Sequence, residues 1–284
     1  MTDLAPQAPR ADRTPAPPDL LRSLHEYRRR FVAAADGYDG STRCAADLED
    51  VMADYSVFVT DVRNEVPFLA LEQEGSPGTA ELVGDLRAQS ARCAAVMEKY
   101  RALRLLDGTE GAAGYFANVE SSIAEEFGAL APTPHSSVLL VGSGSFPMTL
   151  LHVAERTGAP VAGVDIDQEA IALGRRVVQQ LADSSDITLE CRAIEDLPFT
   201  RRATHVVFSS TVEAKYGLLH RMHPLTRDDV VVAMRFGEGL KSLFNYPMQP
   251  VDPQRWRLVE AIRRPGQVFD IALYTKSHVA REAG

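Results

Sequence analysis

Apolar residues recur in two rhythms along the 284-residue chain, and the rhythm changes near residue 138. Before that point they fall three and four apart. Leu20, Leu21, Leu24, Tyr27 and Phe31, following Asp19 as a cap, predict a first helix. Further helices are predicted at about 45–59, 79–106 and 112–130, with breaks at Gly37–Gly40, Gly75–Gly78 and Asp107–Gly111. No strand-like alternation interrupts this half. Residues 1–18 carry five prolines (Pro6, Pro9, Pro15, Pro17 and Pro18) among polar residues and alanines, the composition of a disordered tail. The expected order is therefore a tail (1–18), an all-helical N-terminal domain (19–131) and, beyond a linker at Pro132–Ser137, a second domain (132–284).

That second domain alternates. Short β-branched and leucine runs predict strands at 138–141, 161–165, 187–191, 204–208, 229–234 and 269–274. Helical patterns lie at 147–157, 168–182, 212–222 and 252–263. Repeated βαβ units imply an α/β fold with a parallel sheet covered by helices on both faces. Its ligand sits at the carboxyl ends of the first strands.

Composition narrows the class. Hydrophobic residues make up 45% and charged residues 24%, as in an ordinary soluble globule. A net charge of −9 argues against a nucleic-acid surface that tracks phosphates. Cys44, Cys93 and Cys191 lie far apart, without a CxxC pair, which fits a reducing cytosol and no disulfide framework. No run is long and apolar enough to span a membrane, and no signal peptide is apparent. The expected location is the cytoplasm. His220 and His223 stand three apart, but no further ligands of matching spacing accompany them, so no metal site is expected.

The most informative stretch is 138–167, VLLVGSGSFPMTLLHVAERTGAPVAGVDID. It reads as strand, glycine turn, helix with Pro147 in its first turn, and second strand ending at Asp165. Gly142, Ser143 and Gly144 would offer backbone amides, and Asp165 a carboxylate for ribose hydroxyls. Asp167 is either the ribose contact in place of Asp165 or the cap of the helix beginning at Gln168. A third glycine is missing, since Met148 and Leu150 stand where it would fall. That favours a nucleoside cofactor without phosphates, S-adenosylmethionine (SAM), over a dinucleotide. After the third strand, Ile194 and Glu195, with Asp196, are candidates to close an adenine pocket, or are loop charges in the case of the two acids.

Two more clusters are candidates for chemistry. Tyr115, Asn118 and Ser122 share one helix face, with Glu126 one turn on and Glu125 beside it. Arg235 leaves the end of the fifth strand, where it can clamp a carboxylate, followed by Gly237, Gly239 and Tyr246.

The segments GYFANVESSIAEEF (114–127), VLLVGSGSFPMTLL (138–151), GVDIDQEAIALGRRVV (163–178) and VVVAMRFGEGLKSLFNYP (230–247) resemble the nicotianamine-synthase-like family. DYSVF (54–58), ALRLLDG (102–108), THVVFSST (204–211) and RPGQVFDIALYTK (264–276) extend the likeness from about residue 20 onward. Within that family the chain is most similar to bacterial histidine 2-aminobutanoyltransferases that build opine metallophores of the staphylopine and pseudopaline type. One departure is the turn, Gly144-Ser145-Phe146-Pro147 here, where plant members carry Gly-Pro after the serine.

The resemblance implies a Rossmann-like, class I SAM-dependent transferase domain behind a helical lid. It also implies transfer of the 3-amino-3-carboxypropyl group of SAM to the α-amine of histidine, with release of 5′-methylthioadenosine. On this reading Glu126 is the general base, or Glu125 in its place. Tyr115 orients the amine, and Tyr115 and Arg235 hold the methionine tail. SAM and histidine are the small-molecule partners, a homodimer is compatible with the fold, and an opine dehydrogenase would consume the product. Three alternatives stay open: cyclisation of SAM to azetidine-2-carboxylate, ordinary methyl transfer, and a SAM-binding module without turnover.

Overall fold

The structure, a computed structural model, describes residues 18–109, 123 and 126–277. Among the described residues, four helices come first: α1 (Pro18–Asp36), α2 (Ala45–Thr60), α3 (Glu65–Glu74) and α4 (Pro77–Leu106). The apolar stripe of α1 behaves as its spacing predicts, with Leu20, Leu24, Phe31 and Ala35 all buried. Its partly buried Tyr27 packs on the Tyr55 ring of α2 at 4.9 Å. Ser76 starts α4, accepting from the Thr79 amide at 3.2 Å, with Pro77 in the first turn where its missing N–H costs nothing. At 30 residues α4 is the longest described helix and carries buried residues on several sides. That follows from its position. One side packs on α1 and α2, while Ala102 and Leu105 meet Phe146, Leu173 and Val177 of the sheet domain.

Seven strands follow: β1 (Val138–Val141), β2 (Val161–Val164), β3 (Ile187–Glu190), β4 (His205–Phe208), β5 (Val231–Phe236), β6 (Trp256–Ile262) and β7 (Asp270–Lys276). Helices α5 (Met148–Thr157), α6 (Gln168–Ala182) and α7 (Lys215–Met222) connect them. The sheet order is β3-β2-β1-β4-β5-β7-β6, parallel through β5. The chain reverses direction of travel across the sheet between β1 and β4, and a crevice at that switch is the usual ligand site of such folds. β1 is buried at all four positions, as expected for a strand covered on both faces.

Two expectations need correction. The segment 252–263, with its Asp-Pro start, reads as a helix but forms β6. Asp252 closes a turn instead, accepting from the Gln254, Arg255 and Trp256 amides. Pro265 and Gly266 then set the reversal that pairs β6 with β7. The sheet is therefore not wholly parallel, because β7 runs antiparallel to both β5 and β6. The helix α3 also escapes the sequence reading. It is only 10 residues long and ends at Gly75 in the left-handed conformation.

The function of the missing third glycine, close helix–strand approach, is met elsewhere. A Cβ on Gly163 of β2 would lie 2.7 Å from Leu189 Cδ2 and Ser143 Cβ, and 2.8 Å from Leu150 Cδ1. The glycine stands on the strand, so the helix can keep Leu150. Gly163→Ala should cost about 1–3 kcal/mol by overpacking, read as a lower thermal midpoint. An unchanged midpoint would show that the turn and helix yield freely.

Candidate active site

A cavity of about 850 Å³ opens at the carboxyl ends of β1, β2, β4 and β5, roofed by α4. The glycine turn forms one wall. Gly142 (φ 80°) and Gly144 (φ 63°) both need the left-handed backbone that glycine tolerates. The Gly144 amide donates to Asp165 Oδ2 at 2.9 Å, and Oδ1 accepts from the Asp167 amide at 3.0 Å. Asp165 is thus pinned at the end of β2 with its carboxylate on the cavity wall. Gly142, Ser143, Gly144, Asp165, Ile194, Glu195 and Arg235, all expected from sequence, line this one space. Ile166, almost fully exposed, faces the same space as the buried Ile194, which suits a flat aromatic ring. Glu195 pairs with Arg221 at 2.5 Å, and this bond holds its carboxyl below the usual range.

Three expected residues do not line the cavity. Pro147 is buried ahead of α5, where its carbonyl accepts from the Leu151 amide. Asp167 caps α6, accepting from the Glu169 and Ala170 amides, and pairs with Lys99 at 2.7 Å. Of its two readings, the cap is the one formed. Glu126, on the helical stretch 126–130, is 1% exposed and locked to Arg235. Arg235 Nε reaches both Glu126 oxygens at 3.1 Å, and Nη2 reaches Oε2 at 2.5 Å and Thr149 Oγ1 at 2.7 Å. A carboxylate spent on a buried guanidinium is poorly placed to take a proton from an amine. Tyr115, Asn118, Ser122 and Glu125 lie outside the described residues.

The residue missed by sequence reading is Glu98. It points from α4 into the cavity and is half-buried there. Its carboxylate abuts Gly144 so closely that a Cβ there would overlap it. Desolvation, first, and the neighbouring Asp165 push its carboxyl up to about 8, against the opposing pull of the Ser145 and Phe146 amides and Arg235. Periodicity hides it, since the helix pattern around Glu98 looks like any solvated turn. The signal available was its neighbour. Lys99 is buried and bridges Asp167 (2.7 Å) and Glu169 (2.6 Å), whose carboxylate also accepts from Tyr38 at 2.7 Å. That cluster fastens α4 to the start of α6 and leaves Glu98 turned toward the turn.

The far wall is held from behind. Lys215, fully buried, donates to the carbonyls of Arg235 (2.7 Å), Tyr246 (2.8 Å) and Ser210 (3.4 Å), three cavity residues from three segments. Burial pushes its ammonium down to about 7. The 239–245 segment is tied to the helices by Tyr55 Oη donating to the Leu243 carbonyl at 2.9 Å and by Arg87 Nε donating to the Ser242 carbonyl at 2.5 Å. Among the described residues, no group of three His, Cys, Asp or Glu is placed to hold a metal, and no helix is long and apolar enough to cross a membrane. His223 packs its ring on Trp256 at 5.3 Å.

No family model matches the chain. It is 28% identical over 193 residues to an L-histidine 2-aminobutanoyltransferase of Pseudomonas aeruginosa, covering 68% of this chain and 73% of that protein. It is 27% identical over 213 residues to the protein of the same name in Yersinia pestis, covering 74% and 78%. Among solved structures it is similar to a glutamate-to-glutamine variant of MtNAS in complex with S-adenosylmethionine. That match has a TM-score of 0.71 at 12% identity, over 89% of this chain and 98% of that one. The resemblance read from the sequence and the α/β fold behind a helical half are both borne out.

Proposed function

We propose that this chain transfers the 3-amino-3-carboxypropyl group of S-adenosylmethionine to the α-amine of histidine, releasing 5′-methylthioadenosine. One observation carries the reading. In a chain whose relatives bear that activity in their names, an enclosed carboxylate, Glu98, stands at the glycine turn of a nucleoside-sized cavity. L-histidine, the acceptor in the relatives' name, is the acceptor to test first. The product, an amine bearing two amino-acid units, would feed an opine dehydrogenase in metallophore synthesis.

The residues fit the parts of such a substrate. Asp165, with its position fixed by two amides, suits the ribose hydroxyls, and Ile166 and Ile194 suit the adenine faces. Arg235 offers its guanidinium to the methionine carboxylate, stiffened from behind by Glu126 and Thr149. Lys215 holds the Arg235 backbone in place.

The sulfonium activates three carbons, and the methyl is the least hindered. Reaction at Cγ therefore depends on geometry: the amine must lie in line with the S–Cγ bond while the methyl points elsewhere. Orientation of this kind is worth roughly 7–11 kcal/mol. The amine lone pair forms the N–Cγ bond as the S–Cγ pair returns to sulfur, and the new nitrogen loses a proton. We assign that proton to Glu98, whose elevated affinity for protons suits a base working near neutrality. Glu126 then serves as the positioning partner of Arg235, in place of the base role first expected of it. Tyr115 remains a proposed orienting group.

Two measurements test this. Mass spectrometry of the protein with SAM and each histidine enantiomer should give methylthioadenosine only when L-histidine is present, together with a histidine adduct one aminobutanoyl unit heavier. Methylthioadenosine without acceptor would mean cyclisation, and S-adenosylhomocysteine would mean methyl transfer. Glu98→Gln should lower turnover by about 10² or more with SAM still bound. Glu126→Gln, which loosens Arg235, should act chiefly by weakening SAM binding and leave turnover at saturating SAM within about tenfold of wild type. The wild-type kcat/KM should rise with pH up to about 8 as free Glu98 ionises. The opposite ranking of the two variants would return the base role to Glu126.

A further inference from the structure

The surroundings of Glu98 are one-sided in charge. From its own helix, the Lys99 ammonium turns away to Asp167 and Glu169, and the Arg101 guanidinium lies over the Phe146 ring at 4.2 Å with Nη1 on Met148 Sδ at 2.7 Å. The glycine turn contributes only the neutral Ser145 and Phe146 amides, and β2 contributes a second carboxylate, Asp165. The cation of the sheet that acts on it is Arg235 at the end of β5, already held by both oxygens of Glu126 and by Thr149. Among the described residues, the carboxylate that faces this cavity thus has no lysine or arginine paired with it, and only Arg235 acts on it from a distance.

We propose that Glu98 is the residue by which the site tells a sulfonium substrate from its thioether product, serving as counter-ion to the first and losing that attraction once the sulfur is neutral. The inference rests on the function proposed above. Without ligand, an enclosed carboxyl beside another carboxylate keeps its proton, and a positively charged sulfur brought near it drives that proton off. During the reaction the S–Cγ electron pair neutralises the sulfur, while the proton shed by the alkylated amine returns to the Glu98 carboxylate. Both members of the ion pair disappear in one turnover. Glu98 ends in the protonated form that the empty site prefers, and methylthioadenosine leaves without an ionic contact to break. Affinity for the charged donor and release of the neutral product then come from one side chain.

Linkage gives the test. SAM and S-adenosylhomocysteine share adenosine and amino-acid tail, and differ in the methyl group and charge on sulfur, so a proton lost by the tail cancels between them. Calorimetric titration of the intact protein at pH 7, in buffers of different ionisation enthalpy, should show about one more proton released per site with SAM than with S-adenosylhomocysteine. The ratio of their dissociation constants should shift in favour of SAM by about tenfold per pH unit up to about pH 8, then level off. Glu98→Gln should abolish the difference in proton release. Equal proton release by the two ligands, or a ratio independent of pH, overturns the inference while leaving SAM binding intact. Failure of both ligands to bind overturns the function beneath it. The wild-type comparison decides the matter even if the variant does not fold.

Discussion

The contact between α4 and the glycine turn is the constraint on which the site depends. Glu98 occupies the space over Gly144 that any side chain there would need, and the same turn fixes Asp165 through the Gly144 amide. Neither half of the chain makes a site by itself. The sheet supplies the turn and the carboxylate at the end of β2; the helices supply a roof and a second carboxylate. Lys99, one residue further along α4, sets their relative placement by spanning Asp167 and Glu169 at the head of α6. Adjacent helix residues point about 100° apart, so an anchored Lys99 leaves Glu98 one direction to face.

A second joint supports the other end of the cavity. Tyr55 and Arg87 bond the carbonyls of Leu243 and Ser242, so α2 and α4 brace the segment that carries Phe244, Asn245 and Tyr246. Lys215 gathers three carbonyls behind the same wall. Its ammonium has three donors and meets three acceptors, a match that keeps a buried charge satisfied. Arg235 is held twice over, by its backbone through Lys215 and by its side chain through Glu126. A guanidinium fixed at both ends suits orientation of a substrate tail, where small displacements cost large factors in rate.

Much of this was legible in the sequence. The glycine turn, Asp165 and Ile194 lie on one cavity because local signals specify them: glycines for positive φ, an acid at a strand end, an apolar residue after the next strand. What was not legible is what depends on pairing at a distance. Segment 252–263 carries a plausible helix start, yet its place beside β7 makes it a strand. Glu126 looks like a free acid on a polar stripe until Arg235, 109 positions away, is found against it. Glu98 looks solvated until the sheet closes over it. In each case the sequence states the residue's chemistry correctly and is silent about its partner.

The most direct test of this account is a crystal structure of the protein with SAM bound. The sulfonium should lie beside Glu98, with Asp165 on the ribose and the Arg235–Glu126 pair unbroken. A complex in which that pair has opened and Glu126 faces the sulfur, with Glu98 withdrawn from the ligand, would contradict it.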